Sequence, residues 1–267
     1  VKLVYDAHEF ETERKEKNNS ILHFLMIFLE KKLIKKADAV INVSESIANE
    51  YRRRYDVNPI VIYNCPSYQD IEKTNIFRQK HKIPEDTLIF LYQGSLAPQR
   101  GLDKLLETFK LFNLDEAAMI FMGYGPLEEK IKEYALRYDN IFFQPAVSPE
   151  NVLQYTSSAD IGVSYIENNC LNYYYCLPNK FFEYAMCNLP ILSNNLYELN
   201  KMIKKYDCGF VYDEQKVDLY QFIKERILTE NKEVLKQKGN NASNLIKVYN
   251  WEEQEEKIMR IYDKLDR

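Results

Sequence analysis

The 267-residue chain has few of the side chains that most often bind metal ions. Its three histidines, His8, His23 and His81, are scattered and show no metal-ligand spacing. No Asp-x-Asp pair occurs, so a Mg²⁺ or Mn²⁺ ion would lack the carboxylate ligands that such ions prefer. The sequence therefore predicts no metal site.

Cysteine is also scarce. The five cysteines, at positions 65, 170, 176, 187 and 208, are an odd number and include no Cys-x-x-Cys pair. This pattern argues against a disulfide framework and a zinc site, and it indicates a reducing compartment. We therefore expect a cytoplasmic protein.

Long apolar runs are missing. A membrane-spanning helix needs about 18 to 20 uncharged residues, and the nearest candidate, residues 21–29, is too short. It is followed by Lys31, Lys32, Lys35 and Lys36, so it could lie on an anionic membrane surface as a peripheral contact. We favour the alternative of a helix packed on a sheet, because a single apolar face is the ordinary pattern of globular helices.

The formal net charge of −4 gives no electrostatic reason to propose a nucleic-acid partner.

Two nucleotide-binding sequence motifs are absent or incomplete. No G-x-x-x-x-G-K-[ST] sequence occurs, which disfavours a P-loop enzyme. Gly123-Tyr124-Gly125 begins a G-x-G-x-x-G pattern, but Glu128 replaces the third glycine. A dehydrogenase is therefore the least favoured enzyme.

What the chain does contain is a regular alternation. Nine short apolar runs recur, at residues 3–5, 39–43, 60–63, 88–92, 119–122, 141–143, 161–165, 191–192 and 210–212. Longer segments of helical period lie between most of them, which predicts βαβ units and parallel sheets. A joint is expected at residues 64–67, where Pro66 interrupts the pattern. The three runs before it are too few for a complete domain, whereas the six after it suffice for a doubly wound one.

The most informative segment is residues 177–185, which predict the start of a helix after Pro178. Free backbone N–H groups near Asn179 and Lys180, at the positive end of the helix dipole, favour a phosphate. Glu183 lies on the neighbouring part of the same face, where its carboxylate could accept from two sugar hydroxyls. The segment therefore predicts a nucleotide-sugar pocket.

A second strand ends at Gly94, and Arg100 comes just before the next helix. Gly94 would let the backbone approach a ligand, and Arg100 could offer its fork of donors to an oxyanion. A glycine turn beside a solvated arginine is the alternative, since both are common on protein surfaces.

These segments together resemble one known family. The sequence Pro178-Asn179-Lys180-Phe181-Phe182-Glu183-Tyr184, the loop 94–101, Gly123-Tyr124-Gly125-Pro126, the strand entry 159–161 and the closing Asn250-Trp251 helix are similar to retaining glycosyltransferases of family 4, also called group 1. The resemblance covers the whole chain. It implies an α/β protein of GT-B type, with two Rossmann-like domains and the donor nucleotide sugar held mainly by the second.

The resemblance also implies the division of the chain. Residues 1–63 would be the later part of an acceptor domain, 64–249 the donor domain, and 250–267 a helix, capped by Asn250, that returns towards the acceptor domain. Because Val1 lies in a strand-like run with no initiator Met or signal peptide, we expect the start of the natural protein to be missing and this stretch alone to be inactive.

Site residues carry over from the family one by one. Glu183 matches the second glutamate of the E-x7-E motif, which usually binds the nucleotide ribose, and Arg100 matches a basic position that contacts the diphosphate. Tyr175 stands where the first glutamate is expected, and Ser95 where a basic residue is common. The Pro178-Asn179-Lys180 variant compensates, since Lys180 introduces charge beside the same helix end. The predicted donor-binding residues are Gly94, Ser95, Arg100, Gly123, Tyr175, Pro178, Asn179, Lys180 and Glu183.

On the acceptor side, the strand end Asp6-Ala7-His8-Glu9 resembles the family's pattern facing the cleft. The carboxyl end of a strand is where an open α/β sheet places ligands, so His8 would lie near the donor sugar and Asp6 or Glu9 near the acceptor hydroxyl. In the alternative, Asp6 caps the turn and His8 packs in the cleft wall.

The implied reaction is metal-independent transfer, with retention, from a nucleotide-diphosphate sugar to a glycan or lipid-linked acceptor, in cell-surface polysaccharide synthesis. The predicted catalytic residues are His8, Arg100 and Lys180, with charge stabilisation on the leaving diphosphate as their main effect. No cofactor is expected, because the nucleotide sugar is a substrate. A GT-B domain that binds the donor without catalysis, and a structural α/β protein with no nucleotide site, remain the alternatives.

Overall fold

The computed structural model describes residues 1–14 and 21–266, and all nine apolar runs form strands. In these ranges the strands are β1 Val4–Ala7, β2 Ala39–Asn42, β3 Ile60–Val61, β4 Leu88–Ser95, β5 Ala117–Tyr124, β6 Ile141–Pro145, β7 Ile161–Ser164, β8 Ile191–Asn194 and β9 Gly209–Tyr212. Every neighbouring pair is parallel. The predicted parallel α/β architecture is confirmed.

Helices connect the strands. They are α1 Ile21–Ile34, α2 Glu45–Tyr55, α3 Ile76–His81, α4 Leu102–Phe109, α5 Glu128–Arg137, α6 Val152–Thr156, α7 Leu171–Tyr174, α8 Asn179–Met186, α9 Tyr197–Tyr206, α10 Leu219–Arg226, α11 Lys232–Ile246 and α12 Trp251–Leu265. Two single-turn 3₁₀ helices, Glu11–Glu13 and Pro149–Asn151, complete the described set.

The second sheet has six strands in the order β6-β5-β4-β7-β8-β9. Alternate residues of β4 and β5 are buried in two separate apolar clusters, because helices cover both faces of the sheet. The chain adds strands in one direction from β4 to β6 and then returns to add β7 on the other side of β4. The order thus reverses between β4 and β7, which is the topological switch point where open α/β sheets bind ligands.

The first sheet has three strands in the order β1-β2-β3. Helix α12 covers part of it, where Ile261 packs in one cluster with Ile41 and Ile62. The helix begins as its sequence predicts, since Asn250 Oδ1 accepts from Glu253 N at 2.9 Å. The last helix of the chain is therefore attached to the first sheet, while the predicted domain limits at 63 and 249 stay a prediction.

A buried carboxylate joins the two sheets' helices. Glu198, in the first turn of α9, is only 1% exposed. It accepts from Ser46 N at 2.9 Å and also from the Ser46 hydroxyl. Ser46 lies in the first turn of α2, so the carboxylate satisfies a helix-end donor and faces the positive end of the α2 dipole.

Helix α1 does not follow the pattern that we favoured from sequence. Instead of packing one apolar face on a sheet, it exposes Phe24 by 63%, Phe28 by 52% and Leu33 by 55%, while Ile34 at its end is buried. The prediction of a covered apolar face was wrong because apolar residues lie on several sides of this helix, and within the described residues they exceed what α2 and β1 cover. No helix in the described ranges is long and apolar enough to cross a membrane.

Replacing Glu198 by alanine should lower the free energy of unfolding by about 1–3 kcal/mol, because Ser46 N–H would be left buried without an acceptor. Glu198→Gln keeps an acceptor and should cost less than half as much. Urea unfolding measures both, with Glu255→Ala, an exposed change on α12, as the control that should stay within about 0.5 kcal/mol. Equal effects of all three substitutions would contradict this account of the contact.

Candidate functional site

A cavity of about 500 Å³ lies at the switch point, beyond the carboxyl ends of β4 and β5 and beside the first turn of α8. Its size suits a nucleotide-sized ligand. It is lined by Tyr92, Gln93, Gly94, Ser95, Arg100, Met122, Gly123, Tyr124, Ala146, Val147, Val152, Pro178, Asn179, Lys180 and Glu183.

Glycine is required where the two strands end. Gly94 and Gly123 face each other in the β4–β5 register. Gly123 has φ +156°, and a Cβ there would lie 1.9 Å from Gly94 O. Only glycine permits this close backbone approach, so both strand ends present bare backbone to the cavity.

Helix α8 is held on the sheet by Tyr184. Its buried hydroxyl accepts from Gln93 N at 3.0 Å and donates to Val163 O at 3.2 Å. Its ring lies over Gly162, where a Cβ would come within 2.2 Å of the ring. One side chain thus ties α8 to β4 and β7, the two strands on either side of the switch point.

The first turn of α8 faces the cavity. Pro178 has an extended backbone, with φ −75° and ψ 151°, and the helix begins at Asn179. No side chain caps this end, and Phe181 N bonds back to Pro178 O at 2.9 Å. The N–H groups of Asn179 and Lys180 are therefore placed at the positive end of the helix dipole, as an anion site requires.

Lys180 brings a titratable cation to the same place. Its Nζ lies 3.6 Å from the centre of the Tyr92 ring, a cation–π contact. Burial, with a smaller contribution from the positive charge of Arg100, lowers the pKa of Lys180 to about 7, against an opposing effect of Glu183. An anion that enters the cavity would therefore stabilise the ammonium form of Lys180.

Glu183 is fixed by a chain of hydrogen bonds. Gln93 Nε2 donates to Glu183 Oε2 at 2.5 Å, and the Thr156 hydroxyl donates to Gln93 Oε1 at 2.7 Å. Burial raises the pKa of Glu183, while the bond from Gln93 and the charge of Lys180 act in the opposite direction. The carboxylate is thus oriented towards the cavity with acceptor capacity left for a ligand.

Arg100 supplies the second cation. It lines the cavity just before Gly101, and its guanidinium lies 5.4 Å from the centre of the Tyr173 ring. The lining also includes the apolar side chains of Ala146, Val147 and Val152. The cavity therefore offers both anion-binding groups and apolar surface, the combination that a nucleotide diphosphate needs.

The other predicted residues lie elsewhere. Tyr175 is outside the cavity lining and packs against the rings of Tyr174 and Tyr197, with centroids 5.2 and 5.9 Å away. His8 Nε2 lies 3.2 Å from Asp6 Oδ2, and both side chains are largely exposed. His8 is thus not packed in a wall, and the functional assignments of these residues stay predictions.

Sequence reasoning missed the supporting residues of the site. Gln93 is 3% exposed and follows five apolar or aromatic residues in β4. A polar side chain directly after such a run was the signal that could have identified it. Thr156, which orients Gln93, and Asn172, a buried residue of α7, gave no comparable signal. Among the described residues, no group of three or more His, Cys, Asp or Glu side chains could hold a metal ion.

Comparison with known families identifies both halves of the chain. The model described as "Glycosyl transferases group 1" matches residues 73–244, and the "Glycosyltransferase Family 4" model matches residues 1–66. An uncharacterized glycosyltransferase of Methanocaldococcus jannaschii is 24% identical, over 99% of this chain and 68% of the relative. One of Bacillus subtilis is 24% identical, over 60% of this chain and 45% of the relative.

Solved structures share the fold. Sucrose-phosphate synthase from Thermosynechococcus elongatus has a TM-score of 0.74 at 20% identity, over 98% of this chain and 67% of that one. Anabaena HepE, in complex with UDP and glucose, has a TM-score of 0.74 at 16% identity, over 98% and 71%. WaaG, a glycosyltransferase involved in lipopolysaccharide biosynthesis, has a TM-score of 0.57 at 16% identity, over 77% and 57%. The fold is therefore GT-B, as predicted.

The lowered pKa of Lys180 predicts a pH-dependent affinity for nucleotide sugars. A bound diphosphate favours the ammonium form of Lys180, so the pKa of Lys180 rises on binding. The affinity for the nucleotide sugar is therefore highest below pH 7, where Lys180 is already protonated in the free protein. It falls as the pH rises above 7, by up to tenfold per pH unit. Calorimetric titration with a nucleotide sugar from pH 6 to 8.5 measures this slope. In Lys180→Met the slope should vanish, and in Lys180→Arg the affinity should become nearly constant; a slope unchanged in both variants would contradict the assignment.

Proposed function

Since the chain belongs to the group 1 glycosyltransferases, we propose that it transfers a sugar from a nucleotide-diphosphate sugar to a glycan or lipid-linked acceptor. The observation that carries this proposal is the convergence of Lys180, Arg100 and the uncapped start of α8 on one cavity, with Glu183 beside them. Two cations and a helix dipole form a site for a diphosphate. The fixed carboxylate is a partner for the adjacent hydroxyls of a ribose.

The donor's orientation follows from this arrangement. The diphosphate lies against Lys180 and the N–H groups of α8, the ribose hydroxyls donate to Glu183, and the base extends towards Val147 and Val152. The part of the cavity near Arg100 is left for the phosphate next to the sugar and for the sugar itself. HepE is a solved relative in complex with UDP-glucose, which supports uridine as the first base to test.

The proposed mechanism is electrostatic. Arg100, Lys180 and the α8 dipole stabilise the negative charge that grows on the diphosphate as the glycosidic bond breaks, an effect that is worth several kcal/mol in preorganised sites. The leaving phosphate accepts the proton of the acceptor hydroxyl on the same face of the sugar, so the configuration is retained without a protein nucleophile. His8 orients the sugar from the acceptor side, and no metal ion or other cofactor takes part.

On the acceptor side, we propose that Asp6, His8 and Glu9 face the acceptor hydroxyl. WaaG, one of the structural neighbours, is described as acting in lipopolysaccharide biosynthesis, which supports a role in cell-surface glycan synthesis. The exposed apolar residues of α1 and the lysines at its end fit a peripheral contact with an anionic membrane. Flotation with phosphatidylglycerol vesicles, compared with neutral phosphatidylcholine vesicles, tests that contact.

A donor-binding protein without catalysis is the second candidate. It is favoured by Tyr175, which stands in place of the motif's first glutamate and lies outside the cavity lining. Release of nucleotide that depends on an added acceptor separates the two: the enzyme releases it and the binding protein does not.

We expect one nucleotide sugar from a panel of uridine, guanosine, adenosine and thymidine donors to raise the melting temperature of this chain. Ligand at about 100 times its Kd stabilises the native state by about 2.7 kcal/mol. The shift should persist in EDTA and should largely disappear in Glu183→Ala, while Glu133→Ala, an exposed change on α5, should leave it intact. A shift equal in both variants would remove Glu183 from the site, and loss of the shift in EDTA would overturn metal independence.

Arg100→Ala in the whole natural protein should lower kcat/KM by about 10²–10³, because one partner of the growing phosphate charge is lost. Arg100→Lys should recover part of the rate, since it restores charge but not the planar fork. Proton NMR of the product shows the anomeric configuration. An inverted product, or an Arg100→Ala rate close to that of the unsubstituted enzyme, would reject this mechanism.

A further inference from the structure

The loop that follows β1 is attached to both parts of the molecule at Phe10. The Phe10 ring is fully buried in an apolar cluster with Ala7 and Ile34, 5.5 Å from the Tyr51 ring and 4.7 Å from the Arg54 guanidinium. Its backbone N–H, in contrast, donates to Asn172 Oδ1 of α7 at 2.8 Å. The donor is a backbone group, so this hydrogen bond fixes the position of the main chain of the loop and not only that of a side chain.

Asn172 uses both ends of its amide on this loop. It is 4% exposed, and while Oδ1 accepts from Phe10, Nδ2 lies 3.4 Å from Glu9 Oε2. Glu9 also pairs with Arg14 Nε at 2.7 Å. The amide thus matches a donor and an acceptor at once, which neither a carboxylate nor an apolar side chain of the same size can do.

The next residue of the same helix contacts Arg100, which lines the donor cavity. The Tyr173 ring supports Arg100 at 5.4 Å, and its hydroxyl lies 3.4 Å from Gln99 Oε1. Two residues further on, Tyr175 O accepts from Ser44 Oγ at 3.0 Å, which ties the end of α7 to the start of α2. One short helix therefore contacts the loop that carries His8 and the arginine that lines the cavity.

We propose that Asn172 is a positioning residue, which sets the loop of residues 8–10 at a fixed distance from the donor cavity and thereby aligns His8 with the sugar. The inference rests on the proposed transferase function and adds a residue that lies outside the cavity. Asn172 does not touch the donor. Its loss therefore leaves nucleotide binding intact and slows transfer.

The test is Asn172→Asp, which keeps the acceptor for Phe10 N–H but sets a carboxylate against Glu9. In the whole natural protein we expect kcat to fall at least tenfold while the Kd of the nucleotide sugar changes less than twofold. Asn168→Asp, the same change of charge at an exposed position of the preceding loop, should leave both values unchanged. Exchange of the Phe10 amide, measured by NMR, should be faster in a variant that removes the acceptor, Asn172→Leu.

A charge swap distinguishes positioning from simple destabilisation. Glu9→Gln places an amide donor opposite position 172, so Asn172→Asp should cost less than twofold in kcat when made on the Glu9→Gln background. An equal cost on both backgrounds, or a change in nucleotide Kd of the same size as the change in kcat, overturns the proposal. If the unsubstituted protein transfers no sugar, the proposed function itself fails, whereas a fall in kcat of less than tenfold in Asn172→Asp rejects only this inference.

Discussion

The hydroxyl of Tyr184 is the contact on which the donor cavity depends. It accepts from Gln93 N and donates to Val163 O, and so fixes α8 across the point where the strand order reverses. Everything that α8 contributes to the cavity, including Lys180, Glu183 and the free end of the helix, takes its position from this bond and from the ring over Gly162. A buried hydroxyl that is satisfied in both directions makes a rigid joint, because displacing it would leave two backbone groups unpaired.

The charged side chains of the cavity are only partly stabilised by one another. Burial and the charge of Arg100 destabilise the ammonium form of Lys180, and burial destabilises the carboxylate form of Glu183. Each opposes part of the other's penalty, and Gln93 adds a fixed donor. An entering diphosphate would therefore meet cations that lack full solvation, in surroundings where electrostatic interactions are stronger than in water.

The two sheets are joined by hydrogen bonds rather than by a broad apolar contact alone. Glu198 accepts from the first turn of α2, Asn172 accepts from Phe10 N–H, and Tyr175 O accepts from a serine hydroxyl. Such bonds are directional, so they set the relative placement of the acceptor-side loop and the donor cavity more narrowly than packing does. Helix α12 adds an apolar contact on the first sheet from the other end of the chain.

The sequence determined the parallel α/β class, the nine strands and the capped last helix, because periodicity and helix caps are local properties of the chain. It also determined that Lys180 and Glu183 share the start of one helix. Only the tertiary structure decided that Gln93 and Thr156 orient Glu183, that Asn172 binds a loop 162 residues away, and that α1 leaves its apolar side chains exposed. Those facts depend on which distant segments meet, and no local pattern encodes the partner of a buried amide or the cover of an apolar helix.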